Sequence, residues 1–189
     1  MIALHTLPGD LDAVARDEIA PGERVDFAAQ PLAGRAALMS FGMWIFAVPW
    51  TAFSVFWTAM AASAIGEMDG WGIIFPLFGT PFVAIGLLML STPFWTWRTG
   101  RRTLYVVTDR RAIVFAAGGF RDIGVRSFAP DALANVHRTE RPDGSGDLVF
   151  AQSKHRDSDG DTVTTTTGFP NLPDVREAEA AVRALAAAR

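Results

Sequence analysis

The residues of this chain whose types could do chemistry are few: three scattered histidines, one acidic loop and a run of arginines. A metal site needs three or four convergent donors. His137 and Glu140 supply two, the sequence names no third, and His5 and His155 lie far off, so a solvated strand end accounts for His137 better. The stretch DSDGD, Asp157 to Asp161, shares its opening with a calcium loop, but its glycine falls fourth rather than sixth and its twelfth position is Gly168 instead of glutamate. It reads as a hairpin turn. TVTTTT offers hydroxyls, although alternating threonine is ordinary strand composition. There is no glycine-rich phosphate loop and no nucleophile elbow with a histidine and an acid. Cysteine is absent, which excludes disulfides, thiolate nucleophiles and cysteine metal sites. The expectation is a protein without catalytic residues, metal or cofactor.

The arginines are the remaining candidates. Arg98, Arg101, Arg102, Arg110 and Arg111 follow a long uncharged run within fourteen residues. Basic side chains beside an anionic membrane surface gain about 1 kcal/mol each. Arg98, Arg101, Arg102 and Arg110 are therefore candidate lipid-headgroup contacts. Anchoring at the membrane surface accounts for the first three without a specific pocket. Arg110 and Arg111 are adjacent, and neighbours on a strand point to opposite faces, so one pocket does not easily use both. Nucleic acid is not an expected partner, because the net charge is -3 and no aromatic-basic platform is present.

Elements that must position these groups follow from hydropathy. Half of the residues are hydrophobic and the mean hydropathy is +0.21. The excess is concentrated from Ala36 to Gly66, 31 residues without a charge, and from Gly70 to Trp97, another 28. A bilayer-spanning helix needs about 20. The pattern predicts two transmembrane helices joined by the short link Glu67 to Asp69, a hairpin covering residues 35–97. The N-terminal MIALHTLPGDLDAVARDEI lacks a basic start followed by an apolar core, so the first span is expected to direct insertion itself. Arg35 before the first span and Arg98, Arg101 and Arg102 after the second put both termini in the cytoplasm by the positive-inside rule. Trp71, Trp95 and Trp97 fall where indole rings prefer the headgroup layer, and Pro49, Pro76, Pro81 and Pro93 mark expected irregularities.

Neither span carries an ionisable residue, which argues against an ion or proton pathway, since such groups normally line one despite a cost of about 3 kcal/mol or more each. Gly72, Gly79 and Gly86 recur every seven residues on the second span, a candidate helix-packing stripe. Either a partner helix or the first span, through Gly42, Ala47, Ala52 and Ala59, could receive it.

After Arg102 the pattern turns extended. TLYVVT and AIVFAA flank a polar turn, and RDIGVRSF, ALANVHRT, DLVFA and TVTTTT follow at strand-like intervals. PDVREAEAAVRALAAAR closes the chain as a helix with Val175, Ala178, Val182 and Leu185 on one face, Pro173 in the first turn, Asp174 and Glu177 at its N-terminal end and Arg183 and Arg189 at the other. Val25 and Phe27 alternate in ERVDFAAQP, which predicts that residues 1–34, a cytoplasmic N-terminal segment, add a strand to the domain of residues 98–189.

The PGE of Pro21 to Glu23, the QP of Gln30 and Pro31, YVVTDRRAIVF directly after the second span, GSGDLVF and GFPNLPDVREAE together resemble membrane-anchored bacterial proteins with a pleckstrin-homology-like (bPH) domain. The resemblance implies a partly open seven-stranded β-barrel capped by the C-terminal helix, and no reaction. The expected function is binding: an accessory, assembly or stabilising subunit in the bacterial inner membrane, associating with other membrane subunits. The alternative is a scaffold or sensor for anionic phospholipid.

Overall fold

The computed structural model describes residues 9–64, 70–118, 122–156 and 162–188. The chain divides into two compact units, Gly34–Trp97 and a second formed by Met1–Ala33 with Arg98–Arg189. The predicted turn at Asp157 to Asp161, the link Glu67 to Asp69 and His5 lie outside the described residues, as does Arg189.

The second unit is mainly strand. β1 (Val25–Ala29), β2 (Leu104–Thr108), β3 (Ala112–Ala117) and β4 (Ile123–Phe128) form one antiparallel sheet in chain order. β5 (His137–Glu140), β6 (Gly146–Arg156) and β7 (Thr162–Leu172) form another. Among the described residues no ladder joins the two sheets, so they make no closed barrel. The stretch ALANVHRT is only half strand. Pro130 opens a 3-10 turn over Pro130–Leu133, whose Leu133 is 1% exposed in the core, and strand pairing starts at His137.

The core between the sheets contains Phe27, Tyr105, Val107, Leu148, Phe150 and Phe169. Tyr105 stacks on Phe169 at 4.8 Å between ring centroids, and Phe150 meets Phe169 edge-on at 5.0 Å. The final helix, α5 (Val175–Ala187), covers one side of this core; Val175, Ala178, Val182 and Leu185 are all buried in it. Burial of Val182 or Leu185 stabilises the unit by roughly 1.5–3 kcal/mol each. The helix is capped by Asp174, whose carboxylate accepts the backbone N–H groups of Arg176 and Glu177 at 3.1 and 3.0 Å. Pro173 therefore lies outside the helix rather than in its first turn, and Arg183 pairs with Glu179 one turn back instead of marking the end.

One element carries no periodic signal in the sequence. α1 (Gly9–Glu18) lays Leu11 and Ala15, both fully buried, against Ala28, Leu104, Val106, Ile113 and Phe115 on the other face of the first sheet. That sheet is thus covered on both faces. Hence TLYVVT and AIVFAA are continuous apolar runs instead of alternating ones.

In the first unit, α2 (Ala33–Met39) is followed after Ser40 by α3 (Phe41–Ser63), and a 3-10 turn (Gly70–Ile73) leads into α4 (Ile74–Arg101). At 1.5 Å per residue the 23 residues of α3 reach about 35 Å and the 28 of α4 about 42 Å. Both helices are long and apolar enough to cross a membrane.

Candidate functional site

The helices of the hairpin meet through small residues. A Cβ at Gly86 would overlap the Thr51 hydroxyl and stand 3.2 Å from the Thr51 Cα; one at Gly79 would overlap the Thr58 hydroxyl and stand 3.2 Å from the Trp57 ring. Thr51 and Thr58 are themselves seven apart, so the same step repeats on both sides of the antiparallel seam. Their hydroxyls donate back to Ala47 O and Ser54 O, both at 2.7 Å, which satisfies them inside an apolar contact. Trp44 Nε1 and Trp50 Nε1 donate across the seam to Leu90 O and Phe82 O, each at 3.2 Å.

The glycine stripe is therefore occupied within the hairpin. Its receivers are Thr51 and Thr58, not the predicted Gly42, Ala52 and Ala59; Ala47 is buried, while Gly42 has open space where a Cβ would be. Gly72 belongs to the 3-10 turn before α4 and so falls off the helical stripe. Beside Gly79 a cavity of about 210 Å³ is lined by Trp50, Phe53, Trp57, Phe78 and Phe82.

The arginines separate. Arg98 and Arg101 lie in the last turn of α4, and Arg102 follows at the entrance to β2. Gln30 Nε2 donates to Arg101 O at 2.9 Å, so the residue that follows β1 ties down the end of α4. Arg110 is exposed in the β2–β3 turn, at the opposite end of β2. Five strand residues put about 15 Å or more between that turn and Arg102. One headgroup does not reach both.

Arg111 is held inside the unit. Its Nε donates to Glu23 Oε1 at 3.0 Å, Nη1 to Glu18 Oε1 at 2.8 Å and to Ser127 Oγ at 3.2 Å, and Nη2 to the Glu18 carbonyl at 2.7 Å. Glu23 also accepts the Thr108 hydroxyl at 2.7 Å and the Ala20 N–H at 3.0 Å. Gly22, at φ +84°, allows the tight turn that returns this carboxylate to Ala20. Hydrogen bonds from Arg111 lead the causes that hold the Glu23 pKa at about 2 against an ordinary 4.5. Spacing alone does not reveal this network, because its members come from three distant stretches, 18–23, 108–111 and 127.

His137 is exposed on β5, and Glu140 is engaged by Arg138 and Arg176 at 3.4 and 2.8 Å. No group of three or more metal-ligating side chains occurs among the described residues. No family model, curated protein or solved structure matches the chain.

Proposed function

We propose that the chain is an integral membrane protein of the bacterial inner membrane whose hairpin spans the bilayer, with both termini cytoplasmic and the β unit a pleckstrin-homology-like domain. The observation that carries this is the surface of the hairpin. The large exposed hydrophobic side chains of the described residues all lie between Leu38 and Trp97, and only 11% of the most apolar window of either helix is buried. An apolar surface this extensive, on helices of this length, matches hydrocarbon rather than water. Seven strands in sheets of four and three with a C-terminal helix across them support the pleckstrin-homology-like reading.

Within that reading the protein acts by binding, as an accessory, assembly or stabilising subunit of a membrane complex. The aromatic hollow beside Gly79 supports it, since a neighbouring helix could seat a side chain there. Purification in mild detergent with chemical cross-linking and mass spectrometry tests the reading. Stoichiometric membrane partners are the expected result; a solitary protein retaining only anionic lipid would replace it with the scaffold reading. Orientation is checked by placing single cysteines at Arg110 and Asp69 in this cysteine-free chain. The first should react with a membrane-impermeant maleimide only after the membrane is opened, the second in intact cells.

A further inference from the structure

Along β4 the side chains alternate, and one of them is out of character. Ile123 and Val125 pack on the face that carries α1, whereas Phe128 packs on Phe150 in the core between the sheets. Arg126 shares the face of Phe128 and stands opposite Val114 in the ladder. It is an exposed cation on the face of the sheet that carries the core. The alternation places it beside an opening of about 460 Å³ that Thr103, Tyr105 and Thr167 also line, and where Gly124 and Gly168 contribute no side chain.

Two groups at this opening lack partners. Arg126 makes no ion pair or side-chain hydrogen bond among the described residues, and neither does the hydroxyl of Tyr105, whose residue is only 4% exposed. Burial, with the charge of Asp147 adding to it, raises the Tyr105 pKa above its ordinary value, so the phenol remains a donor at neutral pH. Asp147 itself is held by Arg141 at 2.6 Å and by the Asn171 N–H at 2.7 Å. Among the described residues no carboxylate lines the opening.

We infer that this opening binds a phosphate group, with the Arg126 guanidinium as the charged fork and the Tyr105 hydroxyl as a second donor. The guanidinium presents only donors and the neutral phenol adds one more, and a guanidinium matches phosphate oxygens in pairs. Thr103, which lines the opening, is two residues beyond the end of α4, at most about 7 Å along the chain. If α4 spans the bilayer as proposed, phospholipid headgroups are within reach, so the phosphate comes from a lipid or from a soluble phosphate ester. Only this choice of source rests on the membrane reading.

The test uses the full chain in detergent with glycerol 3-phosphate, and in nanodiscs of phosphatidylcholine alone or mixed in equal parts with phosphatidylglycerol. Isothermal titration reads the soluble probe and native mass spectrometry the retained lipid. Arg126→Ala should weaken one of the two by about tenfold or more and Tyr105→Phe by severalfold, with Arg110→Ala unchanged. Loss confined to glycerol 3-phosphate identifies a soluble ester, and loss of retained phosphatidylglycerol identifies the headgroup. Equal binding by wild type and Arg126→Ala, or equal loss in Arg110→Ala, overturns the proposal. Arg126→Gln, matched to wild type in thermal unfolding, separates loss of the site from loss of the fold. Recovery of membrane partners in the same preparations reports separately on the subunit reading.

Discussion

Arg111 and Glu23, 88 residues apart, form an ion pair in which the carboxylate side chain is 1% exposed and the guanidinium 27%. The pair joins the turn before β1 to the β2–β3 turn, and through Glu18 it fastens the end of α1 to both. Removing Arg111 leaves the buried Glu23 carboxylate without its counter-charge. Arg111→Ala should therefore destabilise the β unit by about 3 kcal/mol, whereas Arg110→Ala, at an exposed site, should stay within about 0.5 kcal/mol. Far-UV circular dichroism during thermal unfolding compares the two.

The same pair sets an acid limit. Glu23 has a folded pKa of about 2, below its ordinary 4.5, so its contribution is fully present above pH 4.5 and is lost as the pH falls towards 2. Wild type should lose this stabilisation only across that window. In Arg111→Ala the leading cause of the depression is gone while burial, which opposes it, remains, so acid unfolding should move to higher pH. Circular dichroism followed from pH 6 to pH 2 reads the shift; coincident acid transitions would remove the pair from the account.

How much of this was legible in the sequence depends on the range of each signal. The α5 face was, because Val175, Ala178, Val182 and Leu185 carry a local 3.6-residue period, and the β2–β3 hairpin was, because two β-branched runs flank a polar turn. Uncharged length marked α3 and α4. α1 was not, since Leu11 and Ala15 are too sparse to stand out until the sheet face that buries them is known. Adjacency put Arg110 and Arg111 on opposite faces, but only the tertiary placement of Glu18 and Glu23 shows that Arg111 is the one held inside. Arg126 was hidden in the same way, because its core-side orientation depends on the β3–β4 register.

Asn171 provides a test of backbone conformation. It adopts φ 55° while 8% exposed, its carbonyl accepts the Leu32 N–H at 2.8 Å, and its side-chain Oδ1 has no partner. Glycine tolerates this backbone and removes the unpaired oxygen, whereas a β-branched residue is strained there. Asn171→Gly should change stability by about 0.5 kcal/mol or less, and Asn171→Val should cost about 1–3 kcal/mol. Chemical denaturation followed by circular dichroism distinguishes them.

The C-terminal helix separates capping from packing. Asp174→Ala removes the acceptor for two backbone N–H groups and should cost about 1 kcal/mol. Leu185→Ala opens the core beneath the helix and should cost about 2–5 kcal/mol. If the two changes were equal, the helix would be held by its end rather than by its face, contrary to the burial of Val175, Ala178, Val182 and Leu185.

The hairpin can be tested by itself, because all six tryptophans, Trp44, Trp50, Trp57, Trp71, Trp95 and Trp97, belong to that unit and the single tyrosine belongs to the other. Gly86→Leu drives a branched side chain into Thr51, where even a Cβ lacks room, so the helices must separate locally. That separation breaks the bonds from Trp44 to Leu90 and from Trp50 to Phe82, and each loss should cost about 1 kcal/mol. Tryptophan emission in detergent should then shift and unfolding should begin at lower temperature, while far-UV signals from the β unit hold. Gly42→Leu, where a Cβ meets nothing within 4 Å, should leave the emission unchanged. Equal effects from both would mean that glycine is needed for helix flexibility in general, and the Gly86–Thr51 seam would lose its role in pairing the helices.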